Sequence, residues 1–228
     1  MRHAGKARWA AVKLIVIGLI IMLAVLLSGV LAVAVGTAIL AFYSVIVALW
    51  VIYTVFTLYF FRDPTPLVPA GANLVVSPAH GKVDILDTVT EPEFMGGQCR
   101  RISIFLSVFN VHVQNAAVGG KIAFYKYTQG QFLSALRTES AVHNENALFG
   151  IESVEPKDAK VGVRLIAGVL ARRIVPWVKT GDAVARGDRI SLIQFGSRVD
   201  VYLPVSVKIT VRLGDRVVGG ETVIAEFE

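Results

Sequence analysis

Between Lys13 and Arg62 lie 48 consecutive residues without one Asp, Glu, Lys, Arg, His, Asn or Gln. A single helix needs only about 20 apolar residues to cross the hydrocarbon of a bilayer, so this stretch has length for two crossings. Ser28-Gly29 and Gly36-Thr37 fall near its middle, where small, permissive residues let a backbone reverse. The expectation is a transmembrane helical hairpin over residues 14–61, preceded by a basic tail over residues 1–13. Arg2, Lys6, Arg8 and Lys13 precede the stretch and Arg62 follows it. For a hairpin, the positive-inside rule puts both ends, and the domain that follows, on the cytoplasmic side of the cell membrane. Trp9, Trp50, Tyr53 and Tyr59 suit the interfacial belts. A secretory signal has a shorter apolar core of roughly 7 to 15 residues, so the segment reads as retained.

Of the formal net charge of +6, the first 13 residues supply +4 and contain no acid. Nucleic acid is therefore a poor inference from the high isoelectric point. Anionic headgroups, which attract such segments by about 1 kcal/mol per basic residue, suit the tail better. The single cysteine, Cys99, excludes an intramolecular disulfide and fits a reducing compartment.

Arg62-Asp63-Pro64-Thr65-Pro66, with Pro69 soon after, reads as a rigid extended exit from the membrane. Beyond it, short β-branched runs alternate with glycines: residues 74–77, 101–106, 111–114, 121–125, 162–167, 189–194, 199–203, 208–211 and 223–227. These predict strands of a mainly β domain over residues 62–228. Residues 178–190 and 211–223 repeat one another, with valine, Gly-Asp, valine and glycine at the same offsets. The pattern resembles the quasi-symmetric halves of a lipoyl- or biotinyl-like β-sandwich, whose carrier lysine sits on a hairpin turn. Here the segment between the repeats carries Gly196-Ser197 instead. Many edge strands in a small sandwich also favour assembly into a homo-oligomer.

A serine hydroxyl can attack the carbonyl of the residue before it, turning a peptide bond into an ester, and glycine leaves that carbonyl uncrowded. Removal of the serine α-proton then expels the ester oxygen, and hydrolysis of the imine leaves a pyruvoyl group. Taken alone, a Gly-Ser pair is more often a β-turn. Its company is specific: Phe60-Phe61-Arg62-Asp63-Pro64, Ser77-Pro78-Ala79, Ile102-Ser103-Ile104-Phe105-Leu106-Ser107, Val111-His112-Val113, Gly130-Gln131-Phe132, Asn144-Glu145, Ile166-Ala167-Gly168, Ala171-Arg172-Arg173-Ile174-Val175 and Phe195-Gly196-Ser197-Arg198-Val199-Asp200. In this order and spacing, from about Phe60 to the C-terminus, the chain resembles the short, bacterial and archaeal type of phosphatidylserine decarboxylase.

The resemblance implies a membrane-bound lyase that forms phosphatidylethanolamine from phosphatidylserine through a Schiff base with a self-generated pyruvoyl group. Cleavage would fall between Gly196 and Ser197, leaving fragments 1–196 and 197–228 held together, with Ser197 the precursor of the covalent cofactor. His112 matches the family's histidine in Phe-x-Val-His and is placed to move protons. On the residues alone, a histidine on an alternating strand, satisfied by a backbone partner, is the plainer reading. The family's Ser-Pro-Ala-Asp-Gly is here Ser77-Pro78-Ala79-His80-Gly81. His80 either replaces the aspartate as the base of self-cleavage or marks a chain that has lost processing. The second alternative makes the protein a noncatalytic membrane-anchored sandwich that binds lipid or protein. The long form's second histidine corresponds to Asn115, so no Asp-His-Ser relay can be assembled from matched positions. Arg172 and Arg173 are candidates to hold the lipid phosphate or serine carboxylate, since guanidinium forks suit both; a solvated loop is the alternative. Arg198 and Asp200 either orient the cleavage turn or alternate outward along a strand. Four histidines and one cysteine show no metal-ligand spacing.

Overall fold

A computed structural model describes residues 6–130, 144–168, 173–194 and 197–228, with side chains described from residue 15 onward. The apolar stretch forms one helix, α1 (Lys6–Phe60). The expected hairpin is absent, because nothing at Ser28-Gly29 or Gly36-Thr37 reverses the chain. A glycine costs a helix only about 1 kcal/mol relative to alanine. The Ser28 and Thr37 hydroxyls fold back onto the carbonyls of Val25 (2.7 Å) and Ala34 (2.9 Å), so neither serves a turn. Ile15–Phe60 is apolar and long enough to cross a membrane. At 1.5 Å per residue this stretch is about 69 Å long, over twice a hydrocarbon core. With one continuous helix, the argument that put both ends on one side no longer holds.

Beyond the helix the described residues are mainly β, as expected, in fourteen strands: β1 (Leu74–Val76), β2 (Gly81–Glu91), β3 (Gly97–Leu106), β4 (Val113–Asn115), β5 (Gly120–Thr128), β6 (Asn146–Val154), β7 (Lys157–Ala167), β8 (Arg173–Pro176), β9 (Ala183–Val184), β10 (Arg189–Gln194), β11 (Ser197–Leu203), β12 (Lys208–Ile209), β13 (Arg216–Val217) and β14 (Val223–Glu226). The contiguous unit begins at Leu58, so the last residues of α1 belong to it. An eight-stranded antiparallel sheet runs β13-β2-β3-β11-β7-β6-β5-β9, and two three-stranded sheets run β1-β14-β12 and β4-β10-β8. β2 and β6 went unread in the sequence: Lys82, Asp84, Asp87 and Glu91 interrupt the first, and Asn146, Gly150 and Glu152 the second. Their pairing across full length with β3 and β7 supplies what local pattern lacks.

The sequence repeat becomes a pseudo-two-fold. In each copy an aspartate closes the turn, Asp182 accepting from the Lys179 amide (2.9 Å) and Asp215 from that of Arg212 (2.8 Å). Gly181 then donates to the Ile122 carbonyl and Gly214 to that of Val83, both at 2.8 Å. Both glycines hold positive φ, +102° and +94°, which a side chain would strain. The two-residue strands β9 and β13 that follow cap opposite edges of the large sheet. Between the halves, the Val76 amide bonds the Ala117 carbonyl (2.9 Å) and the Asn115 amide bonds that of Pro78 (2.8 Å). The core lies inside the curl of the sheet, with Val83, Ile102, Ile104, Phe149, Ile151, Val163, Leu165, Val199 and Val201 all excluded from solvent.

Candidate active site

Ser197 is the first residue of β11, directly after the chain passes from the small sheet that holds β10 to the centre of the large one. It faces Leu106 of β3 on one side and Ala167 of β7 on the other. Its side chain is fully buried and its hydroxyl has no hydrogen-bond partner among the described residues. Burying an unpaired hydroxyl costs on the order of 1–3 kcal/mol, so the position contributes nothing to stability through that group. Gly196, and Phe195 before it, lie outside the described residues.

His112 is held beside β10 by backbone bonds. Its carbonyl accepts from the amide of Ile193 in β10 (3.1 Å) and from the side chain of Gln114 (2.7 Å). The ring is buried against Phe60, centroids 4.3 Å apart, with Nδ1 2.9 Å from the Asn110 carbonyl. A carbonyl can only accept, so Nδ1 carries the proton and Nε2 is the basic nitrogen. Burial pulls the pKa down to about 4; the Asn110 carbonyl opposes this, and the charges of Arg62 and His80 add to it. His112 is therefore a neutral imidazole at pH 7.

His80 is half-buried at the turn into β2. A Cβ built on Gly219 would lie 2.9 Å from its Cδ2 and equally close to the amide oxygen of Asn115, so the imidazole and that amide share the space a side chain at 219 would fill. The Asn115 amide nitrogen is tied to the Gly187 carbonyl (2.8 Å). Burial lowers the His80 pKa, Glu221 raises it, and Arg62 lowers it again. The net direction keeps this ring also in its basic form. His80 thus bears on the protonation of His112, and both rings have Arg62 as a neighbouring cation.

Arg173 opens β8, exposed, in register with Gln194 at the end of β10; Arg172 lies outside the described residues. Arg198 and Asp200 do alternate away from the core but are not solvated. Arg198 bonds Asp84 at 2.5 Å, Arg101 holds Asp87 with two bonds (2.9 and 2.6 Å) and reaches Asp200 at 3.9 Å, and both β11 residues are nearly fully buried. Burial pushes the Asp200 carboxyl up despite these arginines. The network pins β11 on its outer face, which bears on where Ser197 sits.

Sequence reasoning assigned no role to several neighbours. Asn144 donates to the Ala167 carbonyl (2.7 Å), and Glu145 takes the amide of Ile174 (3.1 Å) while its own carbonyl receives the Ala167 amide (2.9 Å). The pair therefore fixes the strand end opposite Ser197. A buried Asn-Glu beside short β runs was the available signal. Phe60 and Arg62 stand in a matched motif that gave them no role and Gly219 in none, because the contacts of all three are made across the fold. A cavity of about 450 Å³ lined by Leu86, Asp87, Arg100, Arg101, Ile209 and Val211 lies five residues along β3 from Leu106, roughly 17 Å away, and is separate from this site.

The family model for phosphatidylserine decarboxylase matches residues 53–225. The chain belongs to the phosphatidylserine decarboxylase family. It is 41% identical over 184 residues to a phosphatidylserine decarboxylase proenzyme from Desulfotalea psychrophila, covering 81% of this chain and 85% of that one. The corresponding proenzyme of Symbiobacterium thermophilum is 45% identical over 172 residues, covering 75% and 79%, and that of Zymomonas mobilis 45% over 175 residues, covering 74% and 70%. Family membership accounts for the order of matched motifs from Phe60 to Asp200, including the two that surround Ser197. It does not extend to most of α1, which the matched residues enter only at 53.

Proposed function

We propose that the chain is a self-processing, pyruvoyl-dependent carboxy-lyase that converts phosphatidylserine to phosphatidylethanolamine at a membrane surface. The observation that carries this reading is the buried hydroxyl of Ser197, without a partner among the described residues, at the first position of β11 in the centre of the large sheet. A buried serine with no partner, preceded by glycine, fits the precursor of a pyruvoyl group.

In the processing step Ser197 Oγ adds to the Gly196 carbonyl carbon. The C–N bond breaks, the hydroxyl proton passes to the released nitrogen, and an ester joins the two halves. A base takes the Ser197 α-proton and the ester oxygen leaves as the Gly196 carboxylate. The enamine tautomerises to an imine, and one water displaces ammonia. His80, held in its basic form, is the base we assign to this step, in place of the family's aspartate. The cut fragment, 32 residues from 228 − 196, stays in place: β11 lies between β3 and β7, β13 on β2, and β14 on β1.

A pyruvoyl group at position 197 supplies an electrophilic carbonyl for the substrate amine and a sink for the electron pair released with carbon dioxide. His112, its tautomer set by Asn110, is assigned to take up at Nε2 the proton that the substrate amine sheds on condensation and to return it to the substrate carbon once carbon dioxide has left. Arg173, exposed beside the end of β10, and Arg172 are assigned to the phosphate or carboxylate of the headgroup. The apolar α1 keeps the site at the bilayer, so that only a headgroup has to reach it.

The β unit is assigned to the cytoplasmic face, where the buried, unpaired Cys99 stays reduced. Protease added to right-side-out vesicles should leave it intact. Digestion would place it outside, as a single straight crossing with the basic tail inside would require. The chemical reading is tested by Ser197→Ala, which should give one uncut chain and no carbon dioxide release; a cut Ser197→Ala chain would sink the mechanism.

A further inference from the structure

Residues 107–112 form a closed loop between β3 and β4. Its turn is held by Asn110, whose side-chain oxygen accepts from the amide and hydroxyl of Ser107 (2.9 and 2.8 Å) and whose amide returns a bond to the Ser107 carbonyl (2.9 Å). At the tip, Phe109 leaves 63% of its surface in solvent. A large exposed aromatic on a well-bonded loop is costly in water and calls for a cover.

The backbone of this same residue is gripped by the end of α1. The Phe109 carbonyl receives Arg62 Nη2 at 2.7 Å and the Tyr59 hydroxyl at 3.3 Å. Arg62 Nη1 bonds the Tyr59 carbonyl (2.7 Å), and its guanidinium lies 3.9 Å over the Tyr59 ring. Leu58, Tyr59 and Phe61 beside it are exposed as well, at 71%, 46% and 40%. The surface around Phe109 therefore adjoins residues 58–62, where the apolar run of the sequence ends in its first charge. Two exposed aromatic rings, a tyrosine and an arginine are the residue set of a membrane–water interface, where rings sit at headgroup depth and a cation meets lipid phosphate.

We propose that the 107–112 loop is a membrane-interface finger that inserts Phe109 into the headgroup layer of the bilayer crossed by α1, the occupant of this surface being lipid. One consequence concerns catalysis. Phe109 is three residues from His112, whose ring nitrogen bonds Asn110 and whose ring stacks on Phe60 of the same helix end. The finger and the helix end together fix the depth at which the site meets a headgroup. The inference rests on α1 being in the membrane and is independent of the chemistry at Ser197.

The test uses the full chain in the uncut Ser197→Ala background, with Cys99→Ser to remove the native thiol. An environment-sensitive fluorophore is attached at Phe109→Cys, and in a separate protein at Leu213→Cys, which is 62% exposed on a turn of the β unit. Each is reconstituted in vesicles of phosphatidylethanolamine and phosphatidylglycerol. At position 109 the emission should be blue-shifted, quenched by lipids brominated near the top of the acyl chain, and shielded from aqueous iodide; at 213 the reverse should hold. Adding Arg62→Gln, which opens the clasp, should weaken lipid quenching at 109. A probe at 109 quenched by iodide overturns the proposal, and so does one shielded from iodide yet untouched by brominated lipid, which would mean a protein cover. Because the background is uncut, failure of the pyruvoyl reading leaves these readouts unchanged.

Discussion

Residues 76–83 and 115–122 follow one backbone plan and carry different side chains. Ser77 accepts from the amide of Gly220 (2.8 Å) as Ala116 accepts from that of Gly187 (2.9 Å), and each segment enters a strand paired with a two-residue cap. At the position before the entry glycine, one has His80 and the other Gly119. At the symmetry-related partner positions, Asn115 stands where the other half has Val76, and Asn115 is the residue beside His80. The comparison separates two demands. The sheet asks only for backbone bonds and glycines, which both ends satisfy, while the polar pair His80 and Asn115 is found at one end alone.

The largest effect should come from breaking that asymmetry. His80→Ala should slow self-cleavage by about 10²–10⁴-fold, the range for a general base, followed as loss of the full-length band on a gel. Gly119→Ala adds a methyl that meets nothing nearer than the Arg186 amide nitrogen at 3.4 Å and should cut at the normal rate. Equal slowing by both would make the effect structural. Restoring aspartate with His80→Asp should preserve or speed cleavage.

A second contrast lies in pH. The folded pKa of His112, about 4 against 6.5, is depressed, so the unfolded chain binds the proton more tightly. Stability from this group is complete above pH 6.5 and is lost as pH falls towards 4, on the order of 3 kcal/mol in all. The urea midpoint of uncut Ser197→Ala protein should drop between pH 7 and pH 5, and that of the same protein with His112→Phe should drop less. A parallel pH dependence in the two proteins would remove His112 from this role.

The backbone symmetry itself predicts equality. A Cβ at Gly81 would collide with the Phe105 carbonyl, and one at Gly120 with the Glu152 carbonyl. Gly81→Ala and Gly120→Ala should each cost about 1–3 kcal/mol, measured as similar drops in Tm. A large loss from one alone would show the halves to be unequal in packing. The smallest effect is expected from Glu221→Gln. Glu221 raises the His80 pKa, so its neutralisation should move the acid limb of the cleavage-rate profile to lower pH; a shift to higher pH would contradict the electrostatic assignment.

Much of this was legible in the sequence. The Gly-Asp repeats announced two equivalent turns, and alternation in residues 189–194 and 199–203 gave β10 and most of β11, because those signals are local. The hairpin was not there to be read: glycine permits a reversal but does not require one, and Gly29 and Gly36 sit inside a helix. Outward alternation of Arg198 and Asp200 was correct, yet solvation did not follow from it, since Arg101 and Asp84 come from other strands. His80 and His112 were visible as motif positions. Their basic forms depend on burial and on Arg62, with Glu221 opposing at His80, and that proximity is a property of the fold and of no sequence window.

The most direct test of the central claim is intact mass spectrometry of the purified protein, with and without a carbonyl-reactive amine. The reading predicts two species: residues 1–196, and a fragment from position 197 lighter by one ammonia than its N-terminal serine form, which gains the mass of the amine less one water. A single unmodified chain of 228 residues, stable on incubation, would contradict it.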